Sequence, residues 1–174
     1  KNSAAGEVYG PIAIAHASTE SPSCTYANNE LWRDQALAAA AAQGIDVTGY
    51  LHRIIIINHS GCRWAGLATV GGTRDIWINN VYANSAGNIS FVTAHELGHN
   101  LFLGHSNQYD CRDGTNARVP ISSSCTSLGY LDPFDPMGNS GYYQFHGLHK
   151  ARLGIIPANG VLEVTSSGVY QIAH

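Results

Sequence analysis

His95-Glu96-Leu97-Gly98-His99-Asn100-Leu101-Phe102-Leu103-Gly104-His105 is the stretch from which the rest of the chain is best read. Residues four apart share one face of a helix, with Cβ atoms about 6 Å from each other, so His95 and His99 point the same way. Two imidazoles on one face can hold one metal ion, and His105, six residues after His99, supplies a third from beyond the helix. Glu96 follows the first histidine directly. Its carboxylate sits beside such an ion without binding it, placed to take a proton from an attacking water. Three nitrogen ligands and one open position suit zinc.

Outward from this motif, the helix is expected to begin near Asn88 or Ser90 and to run to about Leu101. Upstream, Leu51–Ile57 is a β-branched run that reads as a strand buried on both faces. Short strands are expected over Gly66–Val70 and Asp75–Ile78, beside Gly71-Gly72 and Asn79-Asn80. Asn28 and Asn29 are candidate caps for a helix through the alanine run, which Gly44 ends. Val8, Ile12 and Ile14 suggest a strand over Glu7–His16. Residues Ser106–Asn139 are rich in Gly, Ser, Asn, Asp and Pro and read as ordered loop. A last helix is expected over Tyr142–Leu153, and Val161–Ile172 alternates like one or two strands. The order, strand, helix, strands, helix, loop, helix, gives a small α+β domain. We read residues 1–174 as a single domain. Its first part, to about 105, carries the sheet and the histidine helix; 106–174 is loop-rich.

Composition excludes several classes. Charged residues are 12% of the 174 and the net charge is −3, with Lys and Arg scattered, which leaves no footprint for nucleic acid. No apolar run approaches the ~18 residues that would span a membrane. The chain opens at Lys1-Asn2-Ser3 without an initiator Met, as a trimmed mature form would, and its alternating tail is compatible with the start of a further domain.

Cys24, Cys62, Cys111 and Cys125 contain no CxxC pair, which favours disulfides over a thiolate metal site. Of three possible pairings, Cys111–Cys125 is preferred because it closes a short Ser-rich loop. Cys24–Cys62 then follows by elimination. Two bridges imply an oxidising compartment; four buried thiols in a cytosolic protein is the alternative.

The motif resembles the signature of the metzincins, HExxHxxGxxH followed by a Met-containing turn. Met137, in Asp135-Pro136-Met137-Gly138-Asn139, is the chain's one methionine and lies 32 residues beyond His105. The resemblance makes it the Met-turn, an apolar floor beneath the three histidines. The wording His95–Leu101, Met137–Asn139, Ser60–Ala68 and His149–Gly154 is most similar to the gametolysin family. What this implies is a metzincin-like zincin catalytic domain, a small twisted mixed sheet with an active-site helix and a C-terminal helix. It implies a secreted zinc-dependent endopeptidase, with His95, His99 and His105 holding Zn2+ and Glu96 as general base. It further implies a protein or peptide substrate, a monomer, and a zymogen whose inhibitory pro-segment lies outside this chain. An extended substrate would pair with an edge strand carrying Trp64, Ala65, Gly66, Leu67 and Ala68. Tyr142 and Tyr143 are candidates to aid the oxyanion, as a Tyr after the Met-turn does in some metzincins.

One departure stands out. Phe102 occupies the position of the signature's glycine, where the chain turns, so Gly104 is the expected substitute and His105 is expected to reach the metal all the same. His16, His52, His59 and His174 read as surface or internally satisfied residues. His146 and His149 are three apart and a second metal is conceivable, but no carboxylate partner is evident in the sequence. Asp110 and Asp113 are fragments of a calcium loop without its full ligand set, leaving structural Ca2+ an unsupported option. The same chemistry would serve a zinc hydrolase of non-peptide amides. A silent binding module is the reading of another class, opposed by the intact Glu96 and favoured only by Phe102.

Overall fold

The computed structural model describes residues 7–15, 24–72, 75–139 and 144–171. Within them the chain is a small mixed α+β fold: α1 (Tyr26–Ala42), β1 (Arg53–Ile57), β2 (Gly66–Ala68), β3 (Asp75–Asn79), α2 (Ala86–Asn100), β4 (Gln108–Cys111), β5 (Cys125–Leu128) and α3 (Gly147–Arg152), then a 3-10 turn at Ala158–Gly160.

The main sheet has the order β1-β3-β2, with β1 parallel and β2 antiparallel to β3. Its centre is β3, whose five residues are all buried. Strand alternation sends Ile76 and Ile78 to a cluster with Ala83 and Val92, and Trp77 to a second cluster with Trp32 and Cys62. Burying an isoleucine or valine side chain contributes about 1.5–3 kcal/mol. These contacts therefore fix α2 against the sheet. At the end of β3, buried Asn79 donates to the carbonyls of His59 and Cys62 and accepts from the His59 N–H, which ties down the loop between β1 and β2.

Several expectations need correction. β1 is not buried on both faces: Ile54 and Ile56 are 51% and 57% exposed, because α2 packs on β2 and β3 and leaves one face of this edge strand open. Residues 7–15 form no strand, and Pro11 lacks the N–H a ladder would need there. The alternating tail forms none either over its described part, where Val161, Leu162, Val164 and Val169 remain exposed; alternation without a partner strand buries nothing. The Gly- and Ser-rich segment after His105 is more ordered than its composition implies, since β4 and β5 pair across it.

Helix boundaries moved for local reasons. The side chain of Thr25, not of Asn28 or Asn29, caps α1 by accepting the Asn28 N–H, and Asn29 is buried inside the helix. Gly44, at φ 75°, follows its end as expected. Ser85 caps α2, which starts ahead of Asn88. Of the expected last helix, Gly147–Arg152 is observed. Tyr142 and Tyr143 lie outside the described residues, as do His16 and His174.

Both preferred disulfides form, Cys24–Cys62 and Cys111–Cys125. The first bridges the start of α1 to the loop after β1. The second joins residues directly opposite in the β4–β5 ladder. Among the described residues, no helix is long and apolar enough to cross a membrane.

Candidate metal centre

His95 and His99 lie on the buried face of α2, and His105 on the loop that follows. One ring nitrogen from each comes within 4.8 Å of the other two. The ring centroids are 4.8 Å apart for His95 and His99, 4.7 Å for His99 and His105, and 5.4 Å for His95 and His105. The three imidazoles therefore face a common point.

Two of these rings are oriented by backbone carbonyls. His95 Nδ1 lies 2.7 Å from the Pro136 oxygen, and His99 Nδ1 lies 2.9 Å from the Leu103 oxygen. A carbonyl can only accept, so each Nδ1 carries the proton and each Nε2 keeps its lone pair free. Burial lowers the pKa of His95. His105, at the exposed rim of the cluster, is pushed down to about 4 by partial desolvation and by the neighbouring His99 and His95. A ligand histidine must be neutral, and these surroundings favour the neutral ring. The donor set fits a zinc ion on its own chemistry.

His105 reaches the cluster although Phe102 stands at the turn. Phe102 itself adopts the left-handed conformation, at φ 67°. Its N–H donates to the His99 carbonyl, and the Leu103 N–H donates to that of Gly98, the double bond that closes a helix C-terminus. Gly104 has no positive φ and does not substitute for it. The turn is thus made by Phe102 itself in the left-handed region.

Glu96 projects from the same helix into the cleft and is buried. Burial pushes its carboxyl up to about 7. A nearby dication would draw it back down, so the group is poised between carboxylate and acid. Gly66 on β2 makes room for it, since a Cβ there would collide with Glu96 and Val92. Met137 is fully buried, its sulfur in the space that a side chain at Gly98, the residue before His99, would fill. Met137 O also accepts the N–H of Ser106, next to His105.

The three histidines and Glu96 line an open cleft of about 580 Å³. One wall is β2 with its flanks, including Ala65, Gly66, Leu67, Ala68 and Val70; Tyr130, Leu131 and Asn139 stand opposite. Trp64, expected on the edge strand, instead packs with the Trp32–Cys62–Trp77 cluster.

Sequence reasoning missed Tyr130 and Asp135. The ring of Tyr130 lies 3.7 Å from that of His105 and stacks on His95 at 5.9 Å. Its backbone is left-handed, φ 61°, and its N–H donates to Asn107 Oδ1. Burial, then Glu96, raises its phenol pKa. It precedes Met137, whereas the tyrosines sought follow it. Asp135 is the carboxylate that His146 and His149 lacked, two residues before the methionine that drew the attention. The other histidines are engaged locally: His52 with Asn100, and His59 stacked on Trp32. Asp110 pairs with Arg112, and Asp113 is turned back onto Thr115 and Ala117.

No protein-family model, characterised protein or solved structure matches this chain.

Proposed function

We propose that the chain is a secreted zinc-dependent endopeptidase of the metzincin type, holding Zn2+ through His95, His99 and His105. The observation that carries this reading is the meeting of three imidazoles, two with Nδ1 bound to backbone carbonyls, beside the buried carboxyl of Glu96. When bound, zinc supplies Lewis acidity toward a carbonyl and a lowered pKa for water.

The chain's own residues do the rest. Glu96 takes the proton of the attacking water and returns it to the departing amine, base first and acid second. Tyr130, against His105 at the opposite wall, presents its phenol as a hydrogen-bond donor to the carbonyl oxygen as charge develops there. Tyr130 thereby joins Tyr142 and Tyr143, which lie outside the described residues, as a candidate for this role.

An extended peptide suits the cleft. β2 is bonded to β3 along one edge and borders the cleft along the other, so a substrate strand can add to Gly66–Ala68. The metzincin fold, with Met137 as the floor of the Met-turn, is part of this reading. Two disulfides support secretion.

The test is bound zinc per chain together with casein hydrolysis, with and without 1,10-phenanthroline. One zinc and chelator-sensitive cleavage is the expected result. A folded protein that binds no zinc would sink the reading.

A further inference from the structure

We propose that Asp135 and His149 form a positioning pair that orients the metal ligand His95 through the turn joining them; the inference rests on the zinc reading above. Asp135 is fully buried, and a buried carboxylate without partners costs several kcal/mol or neutralises. Here every approach to it is by a donor. Oδ1 accepts the Met137 N–H at 2.7 Å. Oδ2 accepts the His146 N–H at 2.6 Å and lies 3.0 Å from Nδ1 of buried His149.

These bonds hold a tripeptide at both ends. Asp135 is clamped to its own turn through Met137 and to the start of α3 through His146 and His149. Between the clamps sits Pro136, whose carbonyl receives His95 Nδ1 at 2.7 Å. The direction of that carbonyl decides which way the imidazole faces, and the Asp135 clamps set that direction. The same tripeptide accepts the Ser106 N–H beside His105 and places Met137 under Gly98. His149 on a short C-terminal helix, through Asp135 in the turn, thus reaches the neighbourhood of all three histidines.

The cluster of Asp135, His146 and His149 also has the composition of a second metal site. Its hydrogen bonds argue otherwise. His146 Nδ1 accepts the His149 N–H, which leaves the His146 proton on Nε2, the atom 3.6 Å from Asp135 Oδ2. Both rings present N–H and not a lone pair to the carboxylate, which is already satisfied.

The test compares wild type with His149→Asn, His149→Gln and His149→Leu. An Asn amide places its donor near the imidazole Nδ1, and a Gln amide near Nε2. Zinc affinity is read by competition with a chromophoric chelator, and the His95 Nδ1–H proton by NMR in the metal-free protein. The expected result is a 10- to 100-fold weaker zinc affinity in His149→Leu and His149→Gln, with loss of the slowly exchanging His95 signal, and recovery of both in His149→Asn. If His149→Leu does not fold, the Asn and Gln variants decide. Equal affinities and an unchanged His95 signal in those two would overturn the proposal. So would two zinc ions per wild-type chain, one of them lost in His149→Leu. Failure of wild type to bind zinc would remove the peptidase reading, while the His95 signal would still test the pair.

Discussion

The α2 helix with its 135–137 turn, and the β4–β5 hairpin between them in sequence, are held by different forces. In the first, His95, Glu96, His99, Asp135 and Met137 are all buried, and both helix histidines have a named backbone acceptor. In the second, Cys111 is buried, while Tyr109 and Ile121 are 64% and 83% exposed and the bonds of Asp113 are local. Burial of polar groups leaves one acceptable orientation, because an unpaired donor or acceptor is costly. An exposed hairpin has no such penalty and relies on a covalent link. Orientation of the site is thus set by buried hydrogen bonds, and persistence of the hairpin by Cys111–Cys125.

The largest effects should appear in the first region without unfolding it. His99→Ala is expected to lose both zinc and cleavage. Glu96→Ala should keep one zinc per chain and lower kcat/KM by about 10³-fold, which is about 4 kcal/mol. Metal analysis beside a peptidase assay separates the two, and cleavage surviving in Glu96→Ala would mean the base is another group.

In the hairpin the expected effect is on stability. Replacing Cys111 and Cys125 together by Ser opens a loop of sequence separation 14 and should cost about 3 kcal/mol, read by denaturant unfolding. Zinc content of the folded fraction should not change. A loss of zinc in that variant would show that the two regions are coupled.

Tyr130 stands at the junction of the two, directly after the hairpin and against His105. Tyr130→Phe keeps the ring and removes the phenol donor. Loss of one such donor lowers turnover by about 10²-fold, roughly 2.7 kcal/mol, so kcat should fall with KM and zinc affinity little changed. A rise in KM alone would make Tyr130 a binding residue.

Legibility in the sequence followed the same division. The helix spacing placed His95, Glu96 and His99, and the isoleucine run located β1, because local pattern determines both. It failed where partners decide. The isoleucines of β1 look central until the reach of α2 is known, and the tail alternates without a strand to receive it. Asp135 and Tyr130 lie in a segment without periodicity, where only the fold brings a side chain to the site. The carbonyls of Pro136 and Leu103 carry no side-chain signal at all, though they orient two ligands.

The smallest effect tests how the third ligand is delivered. Phe102 is 72% exposed and holds φ 67°, a conformation that costs a residue with a Cβ about 1–2 kcal/mol. Its ring lies over Gly71, the little contact that offsets the strain. Phe102→Gly removes the strain but restores about 0.5–1 kcal/mol of backbone freedom to the unfolded chain. The balance should favour the variant by about 0.5 kcal/mol, raising Tm by about 1–2 °C. Zinc affinity should stay as in wild type, because His105 follows from the Leu103-to-Gly98 and Ser106-to-Met137 bonds, which a glycine at 102 leaves intact. If affinity falls instead, the ring on Gly71 is what steadies the loop, and His105 belongs with the hairpin, held by an exposed contact, and not with the buried site.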